Sequence, residues 1–193
     1  MKILFLGNPN SPIIPFLESA GDSVAVFQEQ LNATLAKSFC AEFIVSFGYR
    51  HIIRQDVIDL FPKKIINLHI SFLPWNRGAD PNFWSFLENT PKGVTIHYVD
   101  AGLDTGDILF QRELKFQPND TLKTSYEKLQ ATMVQLFKEN WNCIKTGTCE
   151  PKKQTTAGTS HRVKDKEKYA HLLAKLGHDT PIAEIETYLA KKK

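Results

Sequence analysis

Long apolar runs are missing from this sequence of 193 residues. After Met1 and Lys2 the N-terminus offers only the apolar residues 3–6 before Gly7, with a proline following at Pro9. A membrane-spanning helix needs about 20 apolar residues and a signal peptide an apolar stretch of about 7–15, so neither is expected. Cysteine is scarce as well. Cys40, Cys143 and Cys149 are an odd count without CxxC spacing, which argues against a disulfide framework or a zinc site and suits the reducing cytoplasm. Nor is there a strong charge of one sign. The 24 Lys and Arg against 21 Asp and Glu leave +3, and much of that excess sits in Lys152-Lys153 and Lys191-Lys192-Lys193, outside any aromatic-studded basic face. Nucleic acid is therefore not required as a partner, whereas a mild positive field suits an anionic small substrate. Internal repeats and low-complexity tracts are absent.

What is present is the balance of an ordinary globular domain, 42% hydrophobic and 23% charged with both signs mixed. Residues 3–6 form a continuous apolar run into Gly7 and predict a strand buried on both faces. Ser11 and Pro12 then start a short helix that Gly21 stops. A strand at 23–27, a helix at 30–39, a strand at 43–47, a short helix at 54–60 and a strand at 64–68 continue the alternation. That rhythm predicts an α/β fold: an open, mostly parallel, Rossmann-like sheet with helices on both faces.

Beyond a loop at 70–80, a helix is predicted over 81–88 and strands over 93–99 and 108–114, which make the sheet mixed at one edge. The longest helix runs from Asp120 or Thr121 to about Ile144, with Leu122, Tyr126, Leu129, Met133, Leu136 and Phe137 as its core positions. Residues 149–159 read as a polar linker, followed by short helices at 164–176 and 182–190. One face of the latter, Ile182, Ile185 and Leu189, asks for burial on this domain or on a second copy, leaving a homo-oligomer open. The organisation expected is a catalytic domain over 1–148, with 149–193 as linker and short helical tail of the same domain.

In an open parallel sheet the chemistry belongs at the carboxyl ends of the strands. The strand ending at Leu68 delivers Asn67 and His69 there on one face, because strand side chains alternate. The strand at 93–99 supplies His97, and the loop beyond it supplies Asp104 between Gly102 and Gly106. An amide and an imidazole can hold a developing oxyanion, and a carboxylate can help take the proton of an attacking amine, which is the equipment of acyl transfer. On spacing alone the same residues read more often as a turn-forming Asn, a structural His and a turn Asp than as catalysts. Trp75, Phe83 and Trp84 read as core aromatics before stacking platforms.

The stretch from Asn67 to Pro74 (Asn-Leu-His-Ile-Ser-Phe-Leu-Pro), then Arg77-Gly78, then Gly93 to His97 (Gly-Val-Thr-Ile-His), then Leu103 to Leu109 (Leu-Asp-Thr-Gly-Asp-Ile-Leu) resembles the folate-dependent formyltransferase family. That family includes glycinamide ribonucleotide, methionyl-tRNA and amino-sugar N-formyltransferases. The resemblance implies a formyltransferase with 10-formyltetrahydrofolate as co-substrate, a primary amine as acceptor and no metal. Its catalytic positions fall on Asn67, His69 and Asp104, with His69 protonated as it stabilises the oxyanion. Its pterin-binding positions fall on Tyr49, Arg50, His51, Ile52 and Ile53 and on Asp100 and Leu103. Ser71, Arg77 and Gly78 fall in the loop that meets the acceptor.

Departures from the family narrow the acceptor. The ribonucleotide enzymes carry a Gly-Ser-rich turn that cradles phosphate, whereas this chain has Gly7-Asn8-Pro9-Asn10-Ser11-Pro12, with two prolines that cannot donate. The tRNA enzymes continue into a C-terminal β-barrel, and this sequence ends at Lys193 after short helices. Residues 158–165 resemble a segment of cell-surface sugar formyltransferases. The part before Asn67 is shorter than is usual in the family. The expectation is a cytoplasmic enzyme acting on a nucleotide-linked amino sugar; the alternatives are the ribonucleotide or tRNA acceptor, or a protein that holds folate without turnover.

Overall fold

The computed structural model describes residues 1–190, and side chains through residue 188. The three terminal lysines and the side chain of Leu189 lie outside the described residues. In chain order the elements begin with β1 (Lys2–Gly7), α1 (Ile13–Ser19), β2 (Ser23–Phe27), α2 (Ala33–Ser38), β3 (Phe43–Phe47), α3 (Gln55–Ile58) and β4 (Ile65–His69). Then come β5 (Arg77–Gly78), α4 (Pro81–Leu87), β6 (Gly93–Tyr98), β7 (Ile108–Glu113) and α5 (Leu122–Thr146). The C-terminal segment adds β8 (Ser160–His161), a 3₁₀ turn over Val163–Tyr169, α6 (Ala170–Leu173), a second 3₁₀ turn over Gly177–Asp179 and α7 (Ile182–Ala190).

Six strands form one sheet in the order β2-β1-β3-β4-β6-β7. The first four are parallel, β6 is antiparallel to β4, and β7 is antiparallel to β6. The mixed edge expected from the two successive strands is thus present. Along each strand the apolar residues divide between two layers. Ile3, Phe5, Phe43, Val45, Ile66, Leu68, Val94 and Ile96 pack on the side of α1 and α5, whereas Leu4, Leu6, Ile44 and Ile65 pack on the side of α2 and α3. The central strands carry apolar residues on both faces because both faces are covered.

Several local expectations change. Helix α2 begins at Ala33 rather than Gln30, where the Asn32 side chain accepts from Leu35 N and caps it. Helix α1 begins at Ile13, and Ser11 only approaches Ile13 N at 3.4 Å. Tyr126 is 47% exposed, so the apolar face of α5 runs instead through Leu122, Leu129, Met133, Leu136, Phe137, Trp141 and Ile144. Cys143 and Cys149, expected to stay apart, are brought into a disulfide pair with Cα atoms 5.5 Å apart. Gly147, in the left-handed conformation at the end of α5, turns the chain back so that the two meet.

Residues 149–159 are not a free linker. Lys152 exchanges two backbone hydrogen bonds with Ile108, both 2.8 Å, and Thr159 O accepts from Arg77 N at 2.9 Å. Strand β8 then pairs with β5, and α7 sets Ile182 and Ile185 against Phe83, Trp84, Phe86, Leu87 and Leu122. Phe83 and Trp84 are core residues, with the Trp84 ring stacked on His161 at 3.8 Å. Replacing Ile185, which has no exposed surface, by alanine is expected to cost about 2–4 kcal/mol of stability. Urea denaturation measures it, and a loss below about 1 kcal/mol would show that α7 is not packed as described.

Candidate active site

The site lies on the face of the sheet opposite α5, where β4 meets β6. Strand β4 extends one residue further than the sequence suggests, so Asn67 and His69 lie within the strand and not at its exit. Asn67 pairs with His97 and His69 with Thr95. Period-two alternation sends Ile66 and Leu68 toward α5 and leaves Asn67, His69, Thr95 and His97 together on the other face. Over this polar patch sit the loop between β4 and α4 and the loop between β6 and β7. The first is anchored by Thr95, whose hydroxyl donates to Ser71 O (2.7 Å) and accepts from Leu73 N (3.1 Å). Gln111 adds a bond from Nε2 to Leu73 O at 2.7 Å.

The second loop delivers Asp104. Its backbone is left-handed, with φ of 52°, and its chain returns so tightly that a Cβ on Gly106 would lie 1.8 Å from Tyr98 O. Both carboxylate oxygens are engaged: Oδ1 accepts from Asn67 Nδ2 at 3.1 Å, and Oδ2 accepts from the Gly78 N–H at 2.8 Å. His97 Nε2 is 3.4 Å from Oδ1 and His69 Nδ1 is 3.6 Å from Oδ2. Burial alone would raise the pKa of this side chain, which is 12% exposed. The two imidazoles and the Gly78 N–H outweigh it and hold the carboxyl well below the usual carboxylate range.

The two histidines are oriented by backbone carbonyls. His97 Nδ1 is 2.7 Å from Tyr98 O and therefore carries its hydrogen there, while Nε2 lies 3.4 Å both from the Asn67 amide nitrogen and from Asp104 Oδ1. His69 Nε2 is 3.2 Å from Asn76 O, which likewise places the hydrogen on Nε2 and leaves Nδ1 toward Asp104 in the neutral ring. Burial pushes the His69 pKa below its ordinary value. The Asp104 carboxylate pulls it back up, His97 lowers it further, and the Asn76 carbonyl raises it. Asn76 is itself fully buried and fixed by side chains at both ends, giving Nδ2 to Thr90 (2.7 Å) and taking the Thr159 hydroxyl on Oδ1 (3.2 Å).

The remaining predicted positions divide. Ser71 donates its hydroxyl to Trp75 O, and the Arg77 guanidinium is taken by Gln154 Oε1 and Ala157 O, so both are engaged within the chain. Tyr49 hydrogen-bonds Glu29 O and Leu31 N through its hydroxyl, and its ring lies 5.3 Å from that of His51. Ile53 is half-buried in the core under α2 and α3, and Arg50 is exposed. Asp100 accepts from Gly102 N and the Thr105 hydroxyl and so shapes its own loop. Ile52 and Leu103 are 74% and 50% exposed. Asn76 and Gln154 escaped the sequence reading, since neither lies near Asp104 in the chain or in a periodic pattern. His97 was legible as a neighbour but had no assigned role. Among the described residues no group of three His, Cys, Asp or Glu is arranged to hold a metal, and no helix is long and apolar enough to cross a membrane.

Residues 8–140 match the family model described as formyl transferase. Methionyl-tRNA formyltransferase of Solibacter usitatus is 41% identical over 115 residues, 59% of this chain and 37% of that protein. That of Anaeromyxobacter dehalogenans is 36% identical over 151 residues, 75% of this chain and 48% of that protein. The chain thus spans less than half the length of these curated relatives. The crystal structure of the formyltransferase PseJ from Anoxybacillus kamchatkensis, in complex with UDP-4,6-dideoxy-4-formamido-L-AltNAc and tetrahydrofolate, superposes with a TM-score of 0.92 at 50% identity, covering 96% of this chain and 97% of that one. With a sheet of this topology, a match across most of its length and the Asn-His-Asp cluster on one face, the chain belongs to the formyl transferase family.

Proposed function

We propose that this protein transfers a formyl group from 10-formyltetrahydrofolate to the primary amine of a nucleotide-linked amino sugar, in the cytoplasm. The observation that carries the acceptor is the extent of the likeness to PseJ, which runs through 96% of the chain and so takes in the C-terminal segment beyond the family match. A second reading, with methionyl-tRNA as acceptor, is favoured by the curated sequence relatives, whose likeness covers 59% and 75% of the chain.

The residues suit the co-substrate. Ile52 and Leu103 offer exposed apolar side chains on the two loops to which the pterin positions fall, where a flat ring can bury them. The co-substrate supplies an activated formyl carbon bonded to nitrogen, and no metal is required for this chemistry. Asn67 spends one amide hydrogen on Asp104; the other meets His97 only at 3.4 Å and is the one released to the formyl oxygen as negative charge gathers there. His69, kept neutral by burial in the free protein, takes the proton of the attacking amine and becomes imidazolium only during the reaction. This differs from a ring protonated beforehand. Asp104 stabilises that imidazolium, and the proton then passes to the departing folate nitrogen as its bond to the formyl carbon breaks.

The test incubates the protein with 10-formyltetrahydrofolate and, separately, UDP- or dTDP-linked amino sugars, methionyl-tRNA and glycinamide ribonucleotide. Formylated product from an amino sugar alone is expected; product from tRNA alone would replace this reading with the second, and folate binding without any product would reject catalysis. Asp104→Asn and His69→Ala are each expected to lower kcat by about 10²–10⁴-fold with circular dichroism unchanged, and full activity in either would refute its role. Because burial lowers the His69 pKa, its imidazole in the free protein is expected to titrate below about 6.5 when followed by NMR. A His69 titration midpoint above that value would contradict a ring kept neutral by burial.

A further inference from the structure

Asp104 sits in a loop whose local bonds, from Gly102 N and the Thr105 hydroxyl to Asp100, flank it without holding its own backbone. Its left-handed backbone costs on the order of 1 kcal/mol for a residue with a Cβ. Asn67 and Gly78 hold the carboxylate, but hydrogen bonds to a side chain leave the backbone free to pivot behind it. The backbone is held by one group from elsewhere in the sequence. Gln154 Nε2 donates both its hydrogens to the loop, one to Asp104 O and one to Gly106 O, each at 2.9 Å. Gln154 Oε1 accepts from Arg77 Nε (3.2 Å) and Nη2 (2.7 Å), and the third guanidinium nitrogen is tied to Ala157 O at 3.1 Å. With two donors placed on carbonyls and the oxygen on a guanidinium, the amide has one orientation.

The segment that carries Gln154 is pinned on either side. Upstream, Lys152 is bridged to Ile108, the first residue after the Asp104 loop. Downstream, Gly158 lies so close to the β4–α4 loop that a Cβ there would be 1.9 Å from Pro74 O, and the Thr159 hydroxyl accepts from Asn76 N at 2.9 Å while donating to Asn76 Oδ1. Asn76 O in turn receives His69 Nε2. Within six residues of one another, Gln154 fixes the backbone of Asp104 and Thr159 fixes the residue that orients His69, and both lie beyond residue 140, where the family match ends.

We infer that Gln154 is a positioning residue for catalysis: residues 151–159 act as a strap whose Gln154 amide sets the distance between the Asp104 carboxylate and His69. The inference rests on the formyl-transfer reading for its kinetic consequence but not for its structural one. Removing the two N–H donors lets the loop relax, draws Asp104 away from His69 and weakens the stabilisation of the imidazolium. A displacement of about 1 Å at reacting groups can cost on the order of 10²-fold in rate.

Two variants of the full chain separate the parts. Gln154→Glu keeps the length and the acceptor for Arg77 but sets a carboxylate oxygen against two carbonyls, and Gln154→Met keeps the length and removes both functions. For each, kcat and KM are measured with the donor and the productive acceptor, and the His69 imidazole is titrated by NMR in the absence of substrate. Expected are a fall in kcat of about tenfold or more and KM within about threefold in both variants; because the added negative charge of Gln154→Glu favours the imidazolium, the titration shift is read in Gln154→Met, where His69 is expected to titrate at lower pH than in the wild type. A smaller fall in kcat, a loss confined to KM, or an unmoved His69 titration overturns the inference. Should Gln154→Glu fail to fold by circular dichroism, Gln154→Met decides alone. If the wild type itself forms no product from any acceptor, the formyl-transfer reading fails, and the titration by itself still decides whether Gln154 sets the Asp104–His69 distance.

Discussion

The ionised state of Asp104 is the condition on which the arrangement around it depends. A carboxyl group with 12% of its side chain exposed would by burial alone prefer its proton. It stays charged because two N–H donors, from Asn67 and from the backbone of Gly78, sit on its two oxygens, and because His69, 3.6 Å away, attracts it once that ring is protonated. Each donor comes from a different part of the chain, and so each is held only while the strands and loops that carry it are packed. The charge and the fold of the site are therefore the same fact seen from two sides: unfastening any one donor raises the cost of keeping the carboxylate buried.

His69 has the opposite problem. Burial disfavours its charged form, and the nearby carboxylate only partly compensates. A ring poised in this way resists protonation at rest and accepts a proton most readily when the carboxylate is close and water is excluded, the requirement of a group that must both take and return a proton within one turnover. The distance of 3.6 Å between Nδ1 and Oδ2 is too long for a hydrogen bond and short enough for strong electrostatic attraction once the ring is protonated, so small changes in loop position bear directly on proton affinity.

The sheet supplies the rigidity for this tuning. Ile66, Leu68, Val94 and Ile96 fasten one face of β4 and β6 to the core, which leaves the intervening residues of the same strands no freedom except to present Asn67, His69, Thr95 and His97 on the other. Among the described residues no helix covers that patch. Three irregular segments do, and their backbone polar groups are satisfied by side chains of Thr95, Gln111, Thr159 and Gln154, as buried loop backbone requires.

Much of the architecture was legible in the sequence because it is encoded locally. Short, largely apolar runs that end in Gly, and helical spacing in α5, identify strands and helices wherever they lie, and the paired strands after Lys92 announce the mixed edge. Asn67 and His69 were readable as a pair because strand alternation puts residues two apart on one face, and the resemblance to a known family singled out Asp104. Helix starts shifted where a side-chain cap competed with spacing, and Tyr126 fell outside the core because α5 buries a narrower face than its apolar residues allow. What the tertiary structure alone decided is which distant groups close the site. Gln154 meets Asp104 across 50 residues and Thr159 meets Asn76 across 83, contacts created by the return of the chain over the sheet and carrying no periodic or compositional trace. Hydrogen bonds between segments so far apart depend on where packing brings the chain, and a polar stretch in sequence looks the same whether it is loose in water or bound across a site.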